Sequence, residues 1–234
     1  TIVIPVYNQE RFVAKAIESA LNQIYDRCSV LIVNDGSTDG TERIIKQYCQ
    51  HAKIISQANS GTSCAWNKAI DIAKTDYLIG LDSDDEFVPE TVSEMLKILK
   101  ENPSSDLIYS DYEFIDISGT IKEVVRNPEP INPITQLMSL HDNLGQPNNF
   151  LPFGHVRLYR REMLLKIGGF NESFFYAEDF ELVLRIAEAG LTFKHIPQVL
   201  YKYRWHNTNK GVLKRKEQKD EVKRAVKEFR IRNI

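Results

Sequence analysis

Short apolar runs alternate with segments of helical periodicity through the first half of this chain, and no other feature constrains its fold as tightly. Residues 1–5 are apolar and β-branched, and read as a buried strand. Residues 10–25 place Phe12, Val13, Ala16, Ile17, Ala20, Leu21 and Ile24 at helical spacing. Strands follow at 29–34, 53–56, 76–81 and 107–109. Helices are expected after residue 40 (with Ile44, Ile45 and Tyr48 on one face), over 61–74 and over 89–101. Strands alternating with helices of ~12 residues form β-α-β units in a parallel sheet, whose ligands sit beyond the C-terminal strand ends. Three polar clusters fall at those ends: Tyr7-Asn8, Asp35-Gly36-Ser37 and Asp82-Ser83-Asp84-Asp85. The topology gathers them in one crevice.

The second half is less regular. Residues 127–152 hold five of the nine prolines and read as a long irregular connection. Parts of 158–167 and 177–189 are helical, 192–206 is strand-like around Pro197, and 210–232 is a charged helix or a frayed end. No linker separates independent domains. The net charge of −2 excludes a whole-chain nucleic-acid binder, but it hides an asymmetry. From residue 210 onward there are ten Lys or Arg against four Asp or Glu, +6, so an acidic body of −8 carries a basic tail. Such a tail is either a solvated helix or a contact for an anionic membrane surface. No apolar run approaches the ~20 residues of a membrane span. Cys28, Cys49 and Cys64 show no metal-ligand spacing and are expected to be buried, reduced thiols of a reducing compartment. We therefore expect a cytoplasmic protein, with any membrane association at the cytoplasmic face. The chain opens on Thr1 directly before an apolar run, as a trimmed or internal segment of a longer product would.

Asp82, Asp84 and Asp85 crowd like charges, which must be protonated or share a cation. If the strand continues through them, its period of two turns Asp82 and Asp84 to one side. Carboxylates there suit Mg²⁺ or Mn²⁺; equally, they suit an acidic turn before the next helix. Asp35 reads either as an acceptor for a base or sugar or as a cap of the following helix. Tyr7 reads either as a stacking face for a base or as a half-buried core ring.

The segments TIVIPVYNQE, VNDGSTDGT, ANSGTSCAWNKAI, LIGLDSDDEF, GGFNESF and AEDFELVLRIAEAG occur in that order. Together they resemble the family 2 glycosyltransferases. The resemblance implies the GT-A fold, a Rossmann-like α/β arrangement with a mixed, mostly parallel sheet flanked by helices. It implies one domain over 1–209, with a nucleotide-binding half (1–110), an acceptor-binding half (111–209) and a basic helix or tail at 210–234. The implied nucleotide-binding residues are Pro5, Val6, Tyr7, Asn8, Glu10, Asp35, Asn67, Asp82 and Ser83. Asp84 and His206, the latter within Tyr203-Arg204-Trp205-His206, match metal-binding positions for Mn²⁺ or Mg²⁺. Asp179 matches the catalytic base, and Gly169 and Glu178 the acceptor side. Trp66 stands where many members carry a nucleotide-binding Arg, with Asn67 and Lys68 beside it.

The function implied is inverting, metal-dependent transfer from a UDP-sugar to the hydroxyl of a glycan or lipid-linked acceptor, in polysaccharide, cell-surface glycan or glycolipid synthesis. The chemistry asks for these groups. A departing diphosphate gathers charge that a cation stabilises, and the incoming alcohol needs a base. We expect Phe174, Phe175, Tyr176 and Phe180 to surround Asp179 and to raise its basicity by desolvation. A nucleotidyltransferase of similar fold would want a Gly- and Arg-rich loop where Tyr7-Asn8-Gln9-Glu10 stands. A glycosidase would leave the Asp82–Asp84 cluster unexplained, and a decayed nucleotide-binding module would have lost some of these acids. Sugar, acceptor and oligomeric state are not written in these motifs.

Overall fold

The computed structural model describes residues 1–142 and 153–233; residues 143–152 of the connection read at 127–152 lie outside the description. Strand β1 (Ile2–Val6) is buried along its whole length, as a central strand covered on both faces must be. Helix α1 (Val13–Leu21) buries Val13, Ala16, Ile17 and Ala20, the helical stripe read from the sequence. The alternation continues through β2 (Val30–Asn34), α2 (Thr41–Ile45), β3 (Ala52–Ser56), α3 (Thr62–Ile72) and β4 (Tyr77–Gly80). β1 pairs in parallel with β2 and β4, and β2 with β3.

A two-residue β5 (Glu86–Phe87) and α4 (Thr91–Glu101) lead into β6 (Leu107–Ile115) and β7 (Ile121–Val125). Next come α5 (Pro133–Asp142), β8 (Arg157–Arg160), α6 (Arg161–Lys166), α7 (Glu178–Glu188) and β9 (Phe193–Arg204). Two helices close the chain, α8 (Lys210–Leu213) and α9 (Arg215–Arg232). The sheet order is β3-β2-β1-β4-β8-β6-β9-β5, with β7 paired to β6. β8 runs antiparallel to both β4 and β6, so β6 and β9 point the same way as the first four strands. The result is the mixed, mostly parallel sheet flanked by helices that the sequence led us to expect.

Strand periodicity divides the core between the two faces. Val3, Leu31, Val33, Leu78 and Leu107 pack with α3, α6 and α7 on one side. Ile2, Ile4, Ile32, Ile79 and Ile108 pack with α1 and α4 on the other. A one-residue slip in any strand would exchange the two sets.

The second half departs from the sequence reading in four places. Strand 107–109 runs on to Ile115, because β9 and β7 pair with its extension. α5 lies inside the connection read as irregular, its Leu137 fully buried. Residues 158–160, inside the span 158–167 read as partly helical, instead belong to β8, inserted between β4 and β6. β9 is a single strand. Pairing passes from Ile196–Ser110 to Val199–Asp111, so Pro197 falls in a bulge that demands no N–H from it.

The cysteines also differ from expectation. Cys49 is exposed and Cys28 and Cys64 are half-buried, Cys28 at the margin of the core beneath α1 and α4. The basic tail packs on the body through Val222, Ala225 and Val226 of α9. Among the described residues, no helix is long and apolar enough to cross a membrane.

Candidate active site

The strand ends open into a crevice of ≈ 640 Å³ that holds Tyr7, Asp35, Asp82, Asp84 and Asp179 together. β4 stops at Gly80, and the acidic cluster forms a turn closed by Asp85 N–H donating to the Asp82 carbonyl (3.1 Å). The pleat of a continuing strand is therefore not what orients these acids. Asp85 is structural. Its buried carboxylate accepts from Tyr201 Oη (2.7 Å) and from the Arg204 amide (2.7 Å). Burial and the charges of Asp84 and Asp82 hold it well above the usual carboxylate range.

Asp84 faces the crevice. Its Oδ2 lies 3.0 Å from His206 Nε2, 3.4 Å from Gln9 Nε2 and 3.5 Å from Asn209 Nδ2. His206 is stacked on Phe12, and its Nδ1 lies 2.7 Å from Thr208 Oγ1. The partner on Nδ1 keeps Nε2 aimed at Asp84. The buried Arg204 guanidinium braces the turn from behind, donating to the Asp84 and Asp116 carbonyls and pairing with Glu86. Among the described residues no ready-made cluster of three acidic, histidine or cysteine ligands occurs. The Asp84 carboxylate on the crevice wall, with the buried His206 imidazole directly behind it, fits a divalent ion that completes its shell with water and phosphate oxygens.

Asp82 is exposed on the crevice. Desolvation by the protein close to its carboxyl, then the charges of Asp84 and Asp179, push it up to about 6. Beyond it lies a smaller recess of ≈ 90 Å³, bounded by Trp66, His155, Arg157, Tyr159, Phe170 and the acids Asp82, Glu178 and Asp179. Trp66 gives the recess an apolar wall, stacked on Phe170 at 5.0 Å.

Asp179 and Glu178 open α7. Arg157 Nη2 lies 3.3 Å from Asp179 Oδ2, and the same guanidinium donates to the Phe153 and Gly154 carbonyls. The expected aromatic enclosure of Asp179 is absent. Phe174 and Phe180 turn into the core, Phe175 is half-exposed, and the Asp179 side chain is itself 39% exposed. Burial instead pushes Glu178 up to about 7, against the pull of Lys210 and with a further push from the charge of Asp179. His155, pressed against Tyr203 and Tyr112, is lowered to about 3 by burial and by the charge of Arg157. It is a neutral ring at physiological pH.

Pro5, Val6, Tyr7, Asn8, Asp35, Asp82, Ser83 and Glu178 line the crevice with Asp84 and Asp179. Asp35 is occupied on both oxygens, by Gln57 Nε2 and the Ser60 and Gly61 amides, so it shapes the loop after β3 rather than capping α2. Asn8 pins the 35–40 turn through the Thr38 amide (2.8 Å). Four expected site residues lie outside the crevice lining. His206 is buried behind Asp84 and reaches it through Nε2. Glu10 accepts from the Gly40 amide (2.7 Å) at the start of α2. The Asn67 amide is engaged with Phe170 and Glu172. Gly169 sits at φ +69°, where an added Cβ would lie 2.5 Å from Asn67 Oδ1, so glycine there serves the seating of Asn67.

Sequence reasoning missed Arg157, His155, Lys210 and Lys214. Arg157 had one available signal, a charge inside the apolar run Val156-Arg157-Leu158-Tyr159. Starting the partly helical span at Leu158 left Arg157 out of any element and concealed it.

With this geometry in view, comparisons with known proteins are consistent. The chain is 32% identical over 234 residues to a chondroitin synthase of Escherichia coli, covering 97% of this chain and 32% of that protein. It therefore spans about a third of that relative's length. The structure of S. aureus TarS 1-349 in complex with UDP superposes with a TM-score of 0.70 at 21% identity, covering 96% of this chain and 63% of that one. The mannosyltransferase PcManGT of Pyrobaculum calidifontis, in complex with GDP-Man and Mn²⁺, gives 0.66 at 18% identity over 91% of this chain and 59% of that one. Both likenesses show a shared GT-A fold. The sequence model of "Glycosyl transferase family 2" matches residues 1–168, the stretch that builds β1 to α6 and carries the acidic turn. By motif order, fold and family match alike, this chain belongs to glycosyl transferase family 2 and is a glycosyltransferase.

Proposed function

We propose that the chain transfers a sugar from a UDP-sugar to a hydroxyl of a growing glycan, with inversion at the anomeric carbon. One observation carries this reading: the Asp82–Asp84 turn and Asp179 line the same crevice at the C-terminal ends of parallel strands. The chondroitin synthase relative supports a polysaccharide acceptor, and the UDP complex of TarS supports a uridine nucleotide.

Tyr7, 45% exposed at the end of β1, offers its ring to the base, and the 57–61 loop held by Asp35 forms the adjoining wall. Asp84 and His206 would hold Mn²⁺ or Mg²⁺, which when bound supplies a Lewis acid for the departing diphosphate. Asp82, at the floor between the two acidic loci, accepts hydrogen bonds from the donor. Asp179 takes the acceptor's proton, and Arg157 fixes the orientation of its carboxylate. Glu178 positions the acceptor hydroxyl. The neutral His155 ring, Trp66 and Phe170 keep water from the reacting carbon.

The test is release of free UDP from a panel of UDP-sugars, with Mn²⁺, with Mg²⁺ and with EDTA. We expect turnover of at least one donor, loss with chelator, and loss in Asp179→Asn. Full activity in Asp179→Asn removes that residue from the role of base. Turnover unchanged by EDTA removes the metal. An α-linked donor yielding an α-linked product removes inversion.

A further inference from the structure

Five carboxylates line the crevice (Asp35, Asp82, Asp84, Glu178 and Asp179), and among the described residues the cations on its lining are Lys210 and Lys214. Lys214 pairs with Glu217 on its own helix at 3.1 Å. Lys210 is placed differently. The chain leaves β9 at Arg204, is tied to the acidic turn by His206 and Asn209 on Asp84, and then carries Lys210 across to the opposite wall. There its Nζ donates to Thr62 Oγ1 (2.9 Å), lies 3.3 Å from Glu178 Oε1, and rests over the Tyr176 ring at 5.8 Å. The far side is fixed as well: Glu221 of α9 accepts from the backbone amides of Phe175, Tyr176 and Ala177. Lys210 therefore stands on a segment anchored both at the acidic turn and at the start of α7, with its ammonium between them.

A nucleoside diphosphate brings further negative charge into a crevice already dominated by carboxylates, and a cation within reach of the acidic turn is the group that offsets it. We propose that Lys210 is a diphosphate-binding residue with two mutually exclusive partners. One is Glu178, as seen here; the other is the diphosphate of the donor. Donor binding draws the ammonium away from Glu178 and leaves that carboxyl to the acceptor hydroxyl, so the acceptor side is completed only after the donor is in place. This inference rests on the nucleotide-sugar reading above and adds to it a competition that no motif in the chain announces.

The experiment is calorimetric titration of UDP, with Mn²⁺ present, into the full chain. Lys210→Met weakens UDP by ~10-fold, as loss of one partly exposed charge-assisted contact does, while Lys210→Arg restores most of it. Glu178→Gln tightens UDP by ~3-fold, because it releases the ammonium from its competitor. That gain vanishes in Lys210→Met/Glu178→Gln. The side chains of Lys210 and Glu178 are 49% and 13% exposed, and circular dichroism checks that each variant is folded. UDP bound equally by the parent and by Lys210→Met overturns the proposal. A Glu178→Gln gain that persists without Lys210 also overturns it, since Glu178 would then act by plain repulsion. If the parent chain binds no UDP at all, the nucleotide-sugar reading falls first and this inference falls with it.

Discussion

Two aspartate–histidine pairs of the same chemistry stand in different parts of this molecule. Asp84 Oδ2 meets His206 Nε2 at 3.0 Å, and Asp111 Oδ1 meets His195 Nε2 at 2.8 Å. Around His195 every polar group is engaged. Its Nδ1 reaches Glu129 at 3.0 Å, its ring is stacked on Tyr109, and Asp111 also takes Arg126 (2.8 Å) and the Asn127 amide (2.8 Å). That pair ties β6, β9 and the 126–129 segment into one unit. Asp84, by contrast, keeps 15% of its side chain open to a crevice that four other acids share. Closure on all sides makes such a pair a strut, whereas one open side leaves it free to meet a ligand. Residue identity distinguishes the two less well than access does.

Substitution should separate the pairs. Asp84→Ala is expected to lower UDP release on the order of 10³-fold with little change in thermal midpoint, the loss expected when charge stabilisation of a leaving group is removed. Asp111→Ala should do the reverse. It strands His195 and the buried Asn127 amide and costs about 3 kcal/mol of stability, while the folded fraction turns over normally. Urea denaturation together with a UDP-release assay reads both quantities, and a comparable activity loss in the two variants would erase the distinction drawn here.

Arg157–Asp179 lies between these extremes: the arginine side chain is 7% exposed and the carboxylate 39%. Arg157→Lys keeps the charge but loses the fork that holds both the Phe153 and Gly154 carbonyls and Asp179. We expect kcat to fall ~10-fold with KM for the donor nearly unchanged, the pattern of a positioning defect. A change confined to KM would make Arg157 a donor-binding residue instead.

The smallest effect concerns Glu178, whose pKa stands at about 7 in the folded chain against an ordinary 4.5. A raised carboxyl favours the folded state fully only below its unfolded pKa, and that contribution is lost as pH rises through 7. Glu178→Gln should therefore raise the thermal midpoint at pH 8 by roughly 2–4 °C, corresponding to about 1 kcal/mol, and leave it unchanged at pH 4. An equal shift at both pH values would assign the gain to packing rather than to charge.

The first half of the fold was legible because its signals are local. The runs Ile2–Val6 and Val30–Asn34, with the stripe Val13, Ala16, Ile17 and Ala20 between them, fix strand and helix by spacing alone. The rule that ligands gather at parallel strand ends then places Tyr7, Asp35 and Asp82 side by side. The same reasoning went astray at 158–160, where a strand of four residues lies before a helix and the charged Arg157 interrupts its pattern. It also misplaced Glu10, Asn67 and Gly169. Each has the residue type a site would use, and each is committed to a neighbour tens of residues away or to an adjoining turn.

The sequence by itself determined the β-α-β alternation, the acids at the strand ends and the family, since these depend on periodicity and on the order of motifs along the chain. Tertiary structure alone decided that β8 enters between β4 and β6 and brings Arg157 beneath Asp179. It alone brought Lys210 across the crevice to Glu178 and closed one aspartate–histidine pair while leaving the other open. Those outcomes depend on which distant segments exclude water from a given carboxylate, and solvent exclusion is a property of the packed chain rather than of any stretch of it.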